Sequence, residues 1–189
     1  MSRLRFALLA AILLGTVAPP PGAVPPSSAT SPAEEESPIL HLEVTTVEGR
    51  TVQLKERLAK GPVLLDFWAT WCKPCKAALP EVQKLHEKYA ARGLTVLGVS
   101  LDGPRNGPKV RPFASQLGLT FANVLDERGD LQRTFQVLAL PTSILIAPDG
   151  KIASTKMGYR PGEAERLGQE IEKLLLVPAD TTAKSPAES

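Results

Sequence analysis

Val63-Leu64-Leu65-Asp66-Phe67-Trp68-Ala69-Thr70-Trp71-Cys72-Lys73-Pro74-Cys75-Lys76 is the stretch on which the fold turns. It opens with an apolar run, Val63 to Trp68, bounded by Gly61-Pro62 and too short for a helix core, so it reads as a buried strand. Beyond a short turn, Ala78, Val82, Leu85 and Tyr89 recur at steps of four, three and four. That spacing marks one face of an α-helix, expected to stop at Gly93. Cys72 therefore falls where a strand hands over to a helix N-terminus. Unpaired amides and the positive end of the helix dipole favour an anion there, and a thiolate is such an anion. Pro74 suits a first helical turn, which has no use for the N–H that proline lacks. Cys75 lies one turn further along and can close a small, exchangeable disulfide ring with Cys72.

Outward from this stretch, 189 residues suggest one domain with extensions. The net charge of +2 includes Arg3 and Arg5, and without them 20 basic residues face 20 acidic ones. No basic field for nucleic acid remains. The two cysteines are the pair just quoted, so the chain is not a disulfide framework and the pair is there to react. Arg3 and Arg5 precede the mostly apolar Phe6 to Val17, and small residues follow, the pattern of an export signal over residues 1–23 with cleavage after Ala18 or Ala23. The apolar run is short of the roughly 20 residues of a membrane span. An uncleaved N-terminal anchor is the alternative, because Pro19 would hinder cutting after Ala18. Either way the expected address is extracytoplasmic, periplasmic or secreted. Residues 24–38 form a Pro-rich linker and 178–189 a tail of like composition, neither able to bury a core. The folded domain is expected over 39–177.

Within it, short strands are expected over Ile39 to Val47 and Thr51 to Leu54 around Glu48-Gly49, and a helical turn over Lys55 to Lys60. Thr95 to Leu101 reads as a second buried strand, Lys109 to Leu117 as a helix, Phe121 to Leu125 as a strand and Gly129 to Phe135 as a short helix. Thr142 to Ile146 and Ile152 to Lys156 flank the turn signal Pro148-Asp149-Gly150. Pro161 is expected to open a last helix with the stripe Ala164, Leu167, Ile171, Leu174 and Leu175. Strands alternating with helices, then a hairpin and a helix, indicate a three-layer α/β domain with a mixed sheet.

Trp71-Cys72-Lys73-Pro74-Cys75, preceded by Asp66-Phe67-Trp68-Ala69 and followed about seventy residues later by Leu140-Pro141-Thr142, resembles the thioredoxin superfamily. The export signal, Pro80 within the first long helix and the strand–helix material between Gly103 and Gly129 are similar to its TlpA/ResA-like extracytoplasmic branch. The resemblance spans nearly all of 39–177. It implies a thioredoxin-like α/β/α fold with a central mixed sheet, an N-terminal hairpin extension and a strand–helix insert. It also implies a thiol–disulfide oxidoreductase that reduces protein disulfides, needs no cofactor or metal, works as a monomer and is recharged by a membrane thiol–disulfide reductase. Cys72 would attack a partner disulfide and Cys75 would resolve the product. Pro141 would be cis, leaving the Leu140 main chain free to pair with an extended substrate. Trp71 would cover the pair, with Lys73 and Pro74 beside it in contact with substrate.

Asp66 is a lone carboxylate in an apolar strand, costly unless it has a purpose or a partner. By the resemblance, an aspartate six residues before the first cysteine is a buried proton acceptor for the resolving thiol. One departure stands out: many ResA-like proteins carry a glutamate three residues after the second cysteine, where this chain has Ala78. Asp66 is expected to do that work instead. Lys73 either lowers the Cys72 pKa by proximity or is merely solvated. Gly158 either permits a close approach or is a plain loop glycine. His86 is expected to be partly buried on the helix surface, far from His41 in sequence, and a zinc site lacks the second paired element it needs. Trp68, Phe67 and Tyr89 are read as core. Two other functions share the cysteine pair: a peroxiredoxin-like thiol peroxidase, and a non-enzymatic copper chaperone.

Overall fold

A computed structural model describes residues 37–176. The leader over 1–23, the linker as far as residue 36 and the tail over 178–189 lie outside the described residues.

The described chain begins with a 3-10 turn, Pro38–His41, where an extended strand from Ile39 was expected. Pro38 presets the bend, and the amides of Leu40 and Leu42 close onto the carbonyls of Ser37 and Ile39. The Ser37 hydroxyl donates to the Gly150 carbonyl at 2.8 Å, tying this turn to the far end of the domain. Strands β1 (Glu43–Thr45) and β2 (Thr51–Gln53) then form an antiparallel hairpin, and α1 (Leu54–Leu58) follows directly.

The main sheet has five strands: β3 (Val63–Trp68), β4 (Thr95–Ser100), β5 (Ala122–Leu125), β6 (Thr142–Ile146) and β7 (Ile152–Met157), in the order β5-β4-β3-β6-β7. β3 lies at the centre, parallel to β4 and antiparallel to β6, so the sheet is mixed. α2 (Lys73–Tyr89) and α3 (Gly107–Gln116) carry the chain from β3 to β4 and from β4 to β5. α4 (Asp130–Thr134) precedes β6, and α5 (Glu163–Leu176) ends the described chain. Pro161 does not open α5, because Gly162 takes a left-handed φ of 81° and helical geometry starts only after it.

Every residue of β3 is buried, and period-two alternation sends its side chains to two separate cores. Leu64 and Trp68 pack with Leu79, Val82, Leu85 and Tyr89 of α2 and with Leu167 and Ile171 of α5. Val63, Leu65 and Phe67 pack on the opposite face with the β1–β2 hairpin, Leu54 and Leu58 of α1, and Phe135. The result is the expected three-layer thioredoxin-like arrangement. Gly98 of β4 leaves space that this requires: a Cβ there would sit 2.3 Å from Asn123 Oδ1, the acceptor of the buried Trp68 indole N–H.

Candidate active site

β3 ends at Trp68, and the turn that follows delivers Cys72 as the N-cap of α2. Cys72 and Cys75 are joined in a disulfide, with Cα atoms 5.3 Å apart. The Cys75 amide donates to Cys72 Sγ at 3.3 Å, so a backbone N–H of the first helical turn already points at the sulfur that the sequence marks as nucleophile. The two cysteines differ in access. Cys75 is wholly buried, whereas Cys72 keeps a small exposed surface and lines an open cavity of about 450 Å³.

Trp71, Lys73, Pro74 and Leu140 line that cavity with Cys72, five expected site residues gathered from two distant segments. Trp71 stands 62% exposed at the rim. The Leu140–Pro141 bond is cis. Among the described residues no main-chain hydrogen bond uses the Leu140 amide or carbonyl, while the Pro141 carbonyl is occupied by the Gly158 amide at 2.8 Å. Pro141 itself lines a second, smaller cavity of about 40 Å³, with Ala78 and Ser143. Gly158 has a left-handed φ of 82° and nothing near its missing Cβ, so backbone conformation rather than close approach explains it.

Asp66 is 1% exposed and shares the α2-facing side of β3 with Leu64 and Trp68. Cys75 belongs to the core on that side. Register places Asp66 between Gly98 of β4 and Ser143 of β6. Ser143 Oγ donates to Asp66 Oδ1 at 2.6 Å, and Oδ2 is buried with no partner among the described residues. Burial pushes the Asp66 pKa up to about 7, with the serine hydrogen bond acting in the opposite sense. A carboxyl poised there exchanges protons at neutral pH. His86 is half-buried, its ring edge-on to Phe121, and burial lowers its pKa. Among the described residues no three His, Cys, Asp or Glu side chains gather as a metal-holding group.

Two contributions to the site are not among the expected residues. Asp102, fully buried just after β4, accepts both the Thr70 amide at 2.8 Å and the Thr70 hydroxyl at 2.6 Å, and the Ser100 hydroxyl at 2.7 Å. This clamp fixes the turn two residues before Cys72. Its only trace in the sequence is an aspartate directly after an apolar strand. Leu138, 85% exposed, lines the larger cavity together with Trp71, and nothing in its local pattern sets it apart from a loop leucine.

Residues 36–155 match the model of the AhpC/TSA family. The thiol-disulfide oxidoreductase ResA of Bacillus thuringiensis subsp. konkukian is 36% identical over 131 residues, covering 69% of this chain and 73% of the relative. The sporulation thiol-disulfide oxidoreductase A of Bacillus subtilis is 32% identical over 165 residues, covering 86% of this chain and 93% of the relative. Among solved structures, StoA from Bacillus subtilis superposes with a TM-score of 0.59 at 29% identity, over 68% of this chain and 94% of that one.

Proposed function

The chain belongs to the AhpC/TSA family and is a thiol–disulfide oxidoreductase of the thioredoxin fold, and from that premise we propose that it reduces disulfides of proteins outside the cytoplasm. The observation that carries this reading is the unequal pair: Cys72 at the helix N-terminus on an open cavity, Cys75 buried on the Asp66 side of the sheet. In the reduced enzyme the Cys72 thiolate attacks one sulfur of a client disulfide, and the other client sulfur leaves as a thiolate that water protonates. Asp66 takes the Cys75 proton, and the Cys75 thiolate then attacks Cys72 Sγ. The second client thiolate leaves, and the Cys72–Cys75 disulfide seen here is the spent state. Two electrons have passed to the client.

The unused main-chain groups of Leu140 suit pairing with an extended client segment beside Pro141, and Trp71, Pro74 and Lys73 offer it a partly apolar contact. The leader over 1–23 supports the extracytoplasmic address and leaves anchoring by residues 6–17 as a variant of it. Re-reduction falls to a membrane thiol–disulfide reductase. Equilibration of the pair with glutathione is the decisive experiment. A reductase should lie near thioredoxin's value of about −270 mV, and a potential above roughly −180 mV assigns an oxidase or isomerase instead. Insulin-disulfide reduction is expected to exceed peroxide turnover, and the reverse assigns a thiol peroxidase.

A further inference from the structure

Asp66 must release the proton it takes from Cys75, yet it is 1% exposed and lines neither cavity at the site. Ser143 bridges that separation. Its hydroxyl donates to Asp66 Oδ1 at 2.6 Å, and the same residue lines the smaller cavity behind Pro141. That cavity, at about 40 Å³, exceeds the roughly 10–15 Å³ a water molecule needs, and its rim includes the exposed Tyr159 and Arg160. We propose that Ser143 is the positioning residue for the base: it sets the pH at which Asp66 accepts the Cys75 proton and relays that proton to solvent in the cavity. This rests on Asp66 serving as the base.

In the relay, the Asp66 O–H bond breaks and its proton passes to Ser143 Oγ as the serine's own proton passes to water. Asp66 is left ionised and Ser143 neutral, with nothing oxidised or reduced. Ser143 then donates again to the carboxylate, the arrangement observed here. A hydroxyl can play both parts because it is donor and acceptor at once. The titratable and charged groups around this path are Cys75 and Glu81 of α2, Lys156 of β7, and Tyr159, Arg160 and Glu163 on the cavity wall. Lys156 is engaged by Glu170 at 2.8 Å. Hydrogen bonds to an ionised group are worth more than neutral ones, so removing this donor favours the protonated acid.

The test is rapid mixing of the reduced full-length enzyme with a model disulfide, with acid quenching of the mixed disulfide from pH 5 to 9. Wild type, Ser143→Ala, Ser143→Thr and Asp66→Asn are compared. Ser143→Ala should shift the midpoint of the resolution profile up by about one pH unit, and so slow resolution about tenfold below that midpoint. The first attack by Cys72 should be unchanged, and Ser143→Thr should restore the wild-type midpoint. The infrared carboxyl band of Asp66 in the oxidised protein, assigned by its loss in Asp66→Asn, should exchange into D₂O more slowly in Ser143→Ala. If Asp66→Asn resolves like wild type, the base assignment itself falls. If Asp66→Asn is slow while Ser143→Ala keeps both the wild-type midpoint and the wild-type exchange, the base stands and the role of Ser143 is overturned. Failure of Ser143→Thr to restore the midpoint likewise overturns it, since the alanine effect would then lie in packing.

Discussion

At the scale of single residues, two titrations follow from the site. Cys72 Sγ accepts the Cys75 amide at 3.3 Å beside the positive end of α2. In reduced protein its pKa should therefore fall below the free thiol's value of about 8.5, and the pH dependence of alkylation measures it. A midpoint at or above the free value would contradict the role of the helix terminus. Asp66 makes an opposite demand. With burial raising its folded pKa to about 7 from the ordinary 3.8, the folded state keeps a proton that the unfolded chain loses. Its contribution to stability is therefore fully present below about pH 4, is lost as pH rises to about 7, and is flat above that. The loss is of order 4 kcal/mol, from about three pKa units at 1.36 kcal/mol each. Asp66→Asn should flatten that slope and be more stable than wild type at pH 8, as denaturant titrations at pH 4, 6 and 8 would show. Asp66 was legible as a lone charge in an apolar run. Its partner was not, because Ser143 lies 77 residues away and only the β3–β6 register brings the two together.

At the scale of elements, β3, α2 and the β6–β7 hairpin were legible because each carries its own periodicity or turn signal. The 3-10 turn at Pro38–His41 was not. Ile39, Leu40 and Leu42 satisfy a strand pattern as well as a turn, and the choice was made by Pro38 and by the contact from Ser37 to Gly150. The turn between β3 and α2 shows the same limit from the other side. Its motif is plain, but what holds it is Asp102 at the end of the next strand. Asp102→Ala would leave the Thr70 amide and hydroxyl without their acceptor. A loss of about 2–4 kcal/mol in unfolding free energy is expected, with slower attack by Cys72 because the turn that presents it loosens. Thermal unfolding and single-turnover mixing measure the two effects separately. Ala78 belongs here too. It forms one wall of the small cavity where a glutamate would bring a second carboxylate close to Ser143 and Asp66.

For the molecule as a whole, redox state and folding stability are linked. A pair that reduces its clients is one whose closed disulfide is favoured by the fold, so the oxidised protein should melt a few degrees above the reduced one. An oxidant shows the opposite order, and calorimetry on both forms decides between them. The overall fold was legible at this scale, since alternation of strands and helices around the quoted stretch leaves few arrangements. What alternation could not reveal is how the sheet ends. On one side the Val47 amide reaches the Asn123 carbonyl at 2.8 Å and Thr46 bridges Val124, so the hairpin occupies the outer edge of β5. On the other side β7 pairs only with β6 among the described residues. In terms of valence, the five-stranded sheet has, among the described residues, one hand to offer and not two. Edge-to-edge pairing through β7 would consume that hand in both molecules and close at a dimer. A filament built through this sheet needs each copy to be gripped twice, and among the described residues the hairpin already sits on the second edge.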